Sequence, residues 1–397
     1  MRMTVLCIAT YRKGDDFLRE CRRQGCRVLL LTDEKLREAD WPRDAIDAFY
    51  YVRRDMPAAD VRKGAAFLAR TERLDRIVAL DDFDVETAAM LREYLHVPGM
   101  GETTGRAFRD KLAMRARARA ASIPCPDFVH PVNHQAIDEW TSRVAPPWVL
   151  KPRSQAAAIG IKKIGSAAEL WQVLDALGDA RPEYVLEQFV PGDVYHVDSL
   201  VFDRRLVFAA ASRYGTPPMA VAHEGGIFVT RTLSDEDATA KELKAMNARV
   251  LESFGLVRGV SHTEFIRSHG NGDIHFLETS ARVGGAYIVD VVEAATGLNL
   301  WREWAKIEIA GESGTYVPPA SKGAYAGIVL SLARQEEPDT SAYDDPEVVT
   351  RVKKRHHAGL IVSAPEENRV RELVESYATR FYKDFHASAP APERASD

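Results

Sequence analysis

Residues 259–285 read GVSHTEFIRSHGNGDIHFLETSARVGG, and the strand register of this stretch decides how the chain is understood. Two carboxylates, Glu264 and Glu278, stand fourteen positions apart in segments of strand character around Gly270-Asn271-Gly272. Ser280 and Arg282 follow Glu278 at period-two spacing, on the same side of a continuing strand. A three-residue loop over Gly270–Gly272 sets Glu264 directly opposite Glu278. A two-residue Asn271-Gly272 turn, the stronger local hairpin signal, pairs Glu264 with Thr279 and sends the glutamates to opposite faces. Like charges directly opposite destabilise a hairpin. At about 4 Å and an effective dielectric near 20, their repulsion is roughly 4 kcal/mol. A divalent cation between them reverses the sign. The first register therefore predicts a metal–phosphate site, and the second an ordinary charged hairpin.

The chain has 397 residues, enough for two or three subdomains. Its hydrophobic fraction of 46% and charged fraction of 28% are those of an ordinary globular protein. The net charge of −5 provides no global basic field, so nucleic acid is not an expected partner. Arg115, Arg117 and Arg119 wrap around a helix at i, i+2, i+4 and read as a solvated face. No stretch approaches bilayer length, and the start, MRMTVLCIATYRKGDD, lacks the layout of a cleavable signal, so no membrane association is expected. Cys7, Cys21, Cys26 and Cys125 show no CxxC spacing, which argues against structural zinc and implies no disulfide. The cytoplasm is the expected compartment.

The N-terminal third alternates in α/β fashion. Strands are expected at 5–9, 27–31 and 77–80, with helices at 15–24 and 85–94, which suggests a parallel sheet with covering helices. The turn from Thr10 to Gly14 holds one glycine and no GxGxxG, so a dinucleotide site there is poorly supported. A helix opens or continues at Arg109-Asp110-Lys111 and ends near Ala121, before Ile123-Pro124-Cys125-Pro126. Strands follow at 148–152, 161–164, 184–187, 194–202 and 206–212, and Ser166 with Glu169 predicts a capped helix over 167–177. Ser234 with Asp237 caps a long amphipathic helix that buries Leu243, Met246, Val250 and Phe254. After the hairpin come a helix over 286–296 and a small α/β segment with strands at 325–332 and 360–363 and a helix at 367–380.

Three further elements carry chemistry. In VLKPRSQAAAIGIKKI, Lys151 ends a buried strand, and a loop of small residues with Gly160 returns to the next strand. Such a loop can fold its backbone N–H groups over phosphates, although a solvent hairpin has the same look. In EQFVPGD, Glu187 and the backbone after it could meet an adenine edge and Asp193 a ribose; an ordinary strand ending in a Pro-Gly turn reads equally well. Asp110-Lys111 at a helix start is on its own a surface ion pair.

In this order, Lys111, Lys151, the small-residue loop, EQFVPGD, EF…LETSAR and GG resemble the ATP-grasp superfamily from about residue 75 to 310, including LDDFDVETAAML…VPG…DKLAMR. The resemblance implies a mixed α/β and α+β fold. It would comprise a Rossmann-like pre-ATP-grasp domain (1–110), an ATP-grasp small lobe (111–190), a large lobe with the magnesium site (191–318), a small C-terminal α/β appendage (319–386) and a disordered tail (387–397). It assigns Lys111 and Lys151 to ATP phosphates, with Gly160 in the loop above them. Glu187 and the backbone of Gln188, Phe189 and Val190 go to the adenine, and Asp193 and His196 to the ribose side. Glu264 and Glu278 become ligands of Mg2+, with Mn2+ as an acceptable substitute. The family pattern at the last strand is Glu-x-Asn-x-Arg; here Ser280 replaces the Asn and is a weaker ligand than an amide oxygen. Small residues at this place also occur among L-amino-acid ligases of the superfamily.

Arg282 would hold an acyl phosphate and its oxyanion with a planar fork; the bland alternative is a structural arginine paired with an acid. Gly284 and Gly285 would let backbone N–H groups approach a substrate carboxylate, and Arg213 and His223 lie where relatives bind substrate. His262 reads as a polar neighbour, because magnesium prefers oxygen ligands. The implied activity is ATP-dependent ligation of a carboxylate, expected to be an amino acid's, to an amine through an acyl phosphate. The partners would be small molecules, and the enzyme a homodimer. Bicarbonate activation of the biotin-carboxylase kind and a non-catalytic ATP-binding protein are the rival readings.

Overall fold

Short, wholly apolar runs become parallel strands covered on both faces. In the computed structural model, which describes residues 2–156, 158–219, 221, 225–311 and 314–387, β1 (Thr4–Ala9), β2 (Arg27–Asp33), β3 (Ala48–Val52) and β4 (Arg76–Ala79) form a parallel sheet in the order β3-β2-β1-β4. Helices α1 (Asp15–Arg23), α2 (Ala58–Leu68) and α3 (Val85–Leu95) cover it. A short α4 (Glu102–Ala107) leads to α5 (Lys111–Ala120), whose first orphan N–H groups are satisfied by Asp110: its Oδ1 accepts from Leu112 N at 2.9 Å and Ala113 N at 3.4 Å.

The stretch expected to form the small lobe has its own antiparallel sheet, β5-β8-β6-β7, built from β5 (Phe128–Val129), β6 (Trp148–Pro152), β7 (Lys162–Ile164) and β8 (Tyr184–Gln188). Helices α6 (His134–Arg143) and α7 (Ala167–Leu177) pack on it around Trp140, Trp148, Leu170 and Leu186. As expected, Ser166 caps α7; Glu169, however, reaches back to Gly165 N at 2.8 Å.

The remaining strands share one eight-stranded antiparallel sheet, in the order β13-β12-β9-β10-β11-β14-β16-β15. They are β9 (Gly192–Phe202), β10 (Arg205–Tyr214), β11 (Phe228–Thr232), β12 (Gly259–Ser268), β13 (Ile274–Ser280), β14 (Tyr325–Leu332), β15 (Val348–Arg351) and β16 (His357–Ala364). The C-terminal α/β segment is thus attached through its strands, which continue the ladder that begins at the hairpin. Helix α8 (Ala238–Phe254) lies on one face, capped by Asp237; Ser234 serves only the turn before it, accepting from Glu236 N. Helices α9 (Ile288–Thr296) and α10 (Leu300–Ala310) lie on the other face, and α11 (Glu367–Asp384) closes the C-terminal strands.

Alternation along β9 and β12 makes the two faces chemically different. Tyr195, Val197, Val201 and Phe265 enter the apolar layer under α8 and α5. On the opposite face, Leu200, Phe202 and Val260 join a core shared with Phe17, Leu18 and Trp304, so the first sheet and the large sheet are glued by one hydrophobic cluster. Further along that face the residues turn polar, at His196 and Asp198 on β9 and His262 and Glu264 on β12, and this is the candidate site. Among the described residues, no helix is long and apolar enough to cross a membrane.

Candidate active site

Glu264 is directly opposite Glu278, as the first of the two registers requires, but the loop that achieves this differs from the one expected. The turn spans four residues, 269–272, closed by Ser268 N to Asp273 O at 2.9 Å, and from there Arg267 pairs with Ile274 and Phe265 with Phe276. An even loop alone would put the glutamates out of register. A one-residue bulge at Leu277 absorbs the difference, so that Glu264 meets Glu278, Thr263 meets Thr279 and His262 meets Ser280. Leu277 packs with Val194, Tyr214 and Ile266, residues of the site face.

Each glutamate already has a partner that orients it. The Tyr214 hydroxyl donates to Glu264 Oε1 at 2.8 Å, and His262 Nε2 lies 3.6 Å from the same oxygen. Lys111 Nζ is 3.0 Å from Glu278 Oε2 and also donates to the Gln155 carbonyl at 2.8 Å. Burial would raise the Glu278 pKa; the charges of Lys111, Lys151 and Arg115 overcome it and hold the carboxyl well below its usual range. Ser280 Oγ has no hydrogen-bond partner among the described residues.

Arg109, Asp110 and Lys111 form no surface ion pair. All three are buried, and they grip the start of the small-residue loop. Arg109 donates to the Ser154 carbonyl and, at 2.8 Å, to Asp82; Asp110 holds the Arg153 guanidinium through both oxygens; Lys111 N donates to Arg153 O at 2.9 Å. At the far end, Ile159 is buried, and Gly160 has φ +72°, with a Cβ there falling 2.9 Å from Pro152 Cγ. A left-handed residue tight against a proline ring is a position for glycine.

Lys151 Nζ pairs with Glu187 Oε2 at 2.8 Å, and Arg115 Nε approaches Glu187 Oε1 at 2.9 Å. Here the sequence reading needs correction: Arg115 belongs to no solvated face and is fully buried. The i, i+4 step from Lys111 places both on one side of α5, the signal from which this could have been read. Burial pushes the Glu187 carboxyl up, and the two cations bring it below its usual range. Removing one partner of such a buried pair typically costs about 3–5 kcal/mol.

Asp198, two residues beyond His196 and on the same face, escaped the sequence reading, as did Tyr214. Asp198 Oδ2 accepts from His196 Nδ1 at 2.6 Å and Oδ1 from His262 Nδ1 at 2.9 Å, while His196 Nε2 meets Thr230 Oγ1 at 2.7 Å. Burial opposes the Asp198 charge, but the two imidazoles hold its pKa far down, and Asp198 in turn lifts His262 to about 9 against its own burial. His196, the ladder partner of Glu264 on β9, is therefore engaged in a buried network beside that glutamate.

Arg282 pairs with no acid among the described residues; its one side-chain bond is Nη1 to the Val283 carbonyl at 2.7 Å. Gly284 is packed so tightly that a Cβ would lie 2.7 Å from Ile288 Cγ2 and 2.9 Å from Asp198 Oδ1, whereas Gly285 is open. The next two residues, Ala286 (φ 49°) and Tyr287 (φ 62°), are both left-handed, which delays α9 to Ile288. Consecutive residues in this region are costly and persist where the surroundings over-determine them.

Other expected residues are drawn elsewhere. Asp193 and Arg213 alternate onto the α8 face and pair with each other at 3.0 Å, away from the glutamates. Gln188 N donates to Asp127 O at 2.8 Å, Phe189 N to Pro147 O at 3.2 Å, and the Phe189 ring lies under Lys163, 4.2 Å from its Nζ. Val190 packs at the edge of the Val194–Tyr214–Ile266 cluster. His223 lies outside the described residues.

No family model matches the chain. It is 25% identical over 252 residues to an L-arginine-specific L-amino acid ligase of Bacillus subtilis, covering 62% of this chain and 60% of that protein. It is 31% identical over 108 residues to a D-alanine–D-alanine ligase of Ralstonia nicotianae, covering 26% of this chain and 32% of that protein. The chain thus matches less than two thirds of these curated relatives' length. Among solved structures, an L-amino acid ligase from Bacillus licheniformis superposes with a TM-score of 0.75 at 16% identity, covering 97% of this chain and 98% of its own. The biotin carboxylase domain of a Hydrogenobacter thermophilus 2-oxoglutarate carboxylase, solved with MgADP, ADP and bicarbonate, gives a TM-score of 0.72 at 15% identity, covering 98% and 91%. A Staphylococcus aureus N5-carboxyaminoimidazole synthetase complexed with ADP gives 0.71 at 15%, covering 95% and 97%. Three sheets in this order, superposing over nearly the whole chain, identify the architecture: the protein has the ATP-grasp fold.

Proposed function

We propose that the chain is an ATP- and magnesium-dependent ligase that activates a carboxylate as an acyl phosphate and joins it to an amine, with an amino acid as the activated acid. The observation that carries this reading is Glu264 opposite Glu278 on one face, with Lys111 of the lysine-bearing helix reaching the second glutamate. The donor set fits a hard cation: two carboxylates and an uncommitted serine hydroxyl, all oxygen. Magnesium, when bound, supplies charge neutralisation at phosphate oxygens.

The chain's own groups do the rest. Glu264 and Glu278 hold the cation, with Tyr214 fixing the rotamer of the first. Lys111 and Lys151, one on the helix and one on the lobe sheet, orient the phosphates beneath the loop pinned by Arg109 and Asp110. A carboxylate oxygen of the substrate bonds to the terminal phosphorus as the ADP oxygen leaves. The amine nitrogen then bonds to the acyl carbon as phosphate leaves, and the nitrogen proton passes to phosphate or solvent. Arg282, with no acidic partner among the described residues, stabilises the acyl phosphate and the oxyanion.

The matched amino-acid ligases support the amino-acid version, and the test is direct. ADP release with Mg2+ is measured across pooled amino acids and small carboxylates, with bicarbonate as a separate arm, and products are weighed by mass spectrometry. Turnover with an amino-acid pair and a product one water lighter than the pair is expected. Stimulation by bicarbonate alone, or by no pair at all, would sink the amino-acid version.

A further inference from the structure

A bulge that sets catalytic register needs something to hold it, because its extra residue has no place in the ladder. Leu277 is that residue, and a carbonyl left outside the ladder requires another donor. Its carbonyl accepts from Arg115 Nη1 at 2.5 Å, and the preceding Phe276 N donates to Pro124 O at 2.8 Å. Both partners come from α5 and the segment leaving it. The other side of the Arg115 guanidinium faces Glu187 on β8, and Arg115 is fully buried. One arginine therefore touches the small-lobe sheet through a carboxylate and the large-lobe hairpin through a backbone oxygen.

We infer that Arg115 is a positioning residue for the cation site: its fork pins the Leu277 bulge to β8, and so keeps Glu278 in register with Glu264. This rests on the reading that the two glutamates hold a divalent cation. A lysine cannot reproduce the fork. A single ammonium in the same place can keep its charge beside Glu187 but cannot also hold the Leu277 carbonyl in the plane the guanidinium offers. Lys111, one turn earlier on α5, fixes Glu278 itself. The helix thus holds both the residue that binds and the residue whose bulge aims it.

The test uses Arg115→Lys, which retains the buried charge, with Arg115→Met as a second variant. Mn2+ binding in the presence of ADP is followed by electron paramagnetic resonance, and amide exchange over 276–279 by mass spectrometry. At least a tenfold weaker Mn2+ site and at least tenfold faster exchange in Arg115→Lys, with an unfolding midpoint near the parent's, are expected. Exchange at the parent's rate overturns the inference whatever the metal does, as does Mn2+ affinity within twofold of the parent. If the parent itself takes up no Mn2+, the two-glutamate reading fails, and the exchange arm alone decides the role of Arg115. Should Arg115→Met not fold, Arg115→Lys still gives both readouts.

Discussion

Lys111 is the residue whose position says most about the order of events. Lys111 is buried and its Nζ is 3.0 Å from Oε2 of the half-buried Glu278, so on the proposed reading it competes with a divalent cation for that carboxylate. On the proposed function, a phosphate group would offer Lys111 a better partner and draw it off, coupling metal entry to nucleotide entry. Lys111→Met should separate the two. Mn2+ alone should bind about tenfold more tightly, a change on the order of 1.4 kcal/mol, while ADP-forming turnover falls about 10²–10³-fold from the lost phosphate contact. Mn2+ titration and steady-state kinetics on the same preparation check both; tighter nucleotide-free metal binding is the outcome a merely structural lysine would not give. The sequence singled out Lys111, Lys151 and both glutamates because each combines a charge with a motif position, and the structure pairs Lys111 with Glu278, Lys151 with Glu187 and Glu264 with Glu278 across the ladder. Arg115 and Asp198 were not, since their role depends on burial, and burial is a property of the packed chain. Asp193 and Arg213 lie one residue off the face that carries the glutamates, and alternation sends them to the α8 side, where they pair with each other.

At the scale of the element, the hairpin and the Gly284-Gly285 segment behave differently. The pairing of Glu264 with Glu278 was readable as one of two registers. The four-residue turn and its compensating bulge were not, because a turn and a bulge can trade one residue without changing the pairing beyond them. The glycine pair looked like two equivalent approaches to substrate, yet only Gly284 is sterically committed. Adding a methyl there pushes on Ile288 and on Asp198, the carboxylate that aligns both histidines. Gly284→Ala should destabilise the fold by about 1–3 kcal/mol, the usual cost of overpacking. It should also lower turnover at temperatures where the variant is fully folded, because Arg282 shares the segment. Gly285→Ala, with open space around it, should be near neutral. Thermal unfolding with kinetics well below the midpoint separates the two effects. Equal behaviour of the two variants would mean the segment is not held against Asp198.

For the whole molecule, stability carries a pH signature from the first sheet. Asp84 is buried beneath the end of β1; burial raises its pKa, the Asp81 charge adds to this, and bonds from Thr10 only partly oppose it, leaving it at about 7. An unfolded aspartate titrates near 3.9. Between about pH 4 and 7 the folded chain therefore binds more protons than the unfolded one, and stability falls as pH rises through that window, by roughly 4 kcal/mol from this group. Asp84→Asn keeps an acceptor for Thr10 N and should flatten the decline, as urea unfolding in steps across the window will measure. The α/β alternation of this region was plain from sequence, but the single cluster joining it to the large sheet was not, since Phe17 and Trp304 are nearly three hundred positions apart. That cluster and the eight-stranded ladder have a practical corollary for anyone recombining parts of this protein with its relatives. A crossover near residue 318 would cut between β11 and β14, partners in one ladder, and one near residue 110 would split a shared core. The stretch from about 126 to 190, with its own sheet and its own tryptophan-centred core, is the segment expected to exchange most readily as a cassette. Its donor must bring a carboxylate where Glu187 stands, or the recipient's Arg115 is left buried without a counter-charge.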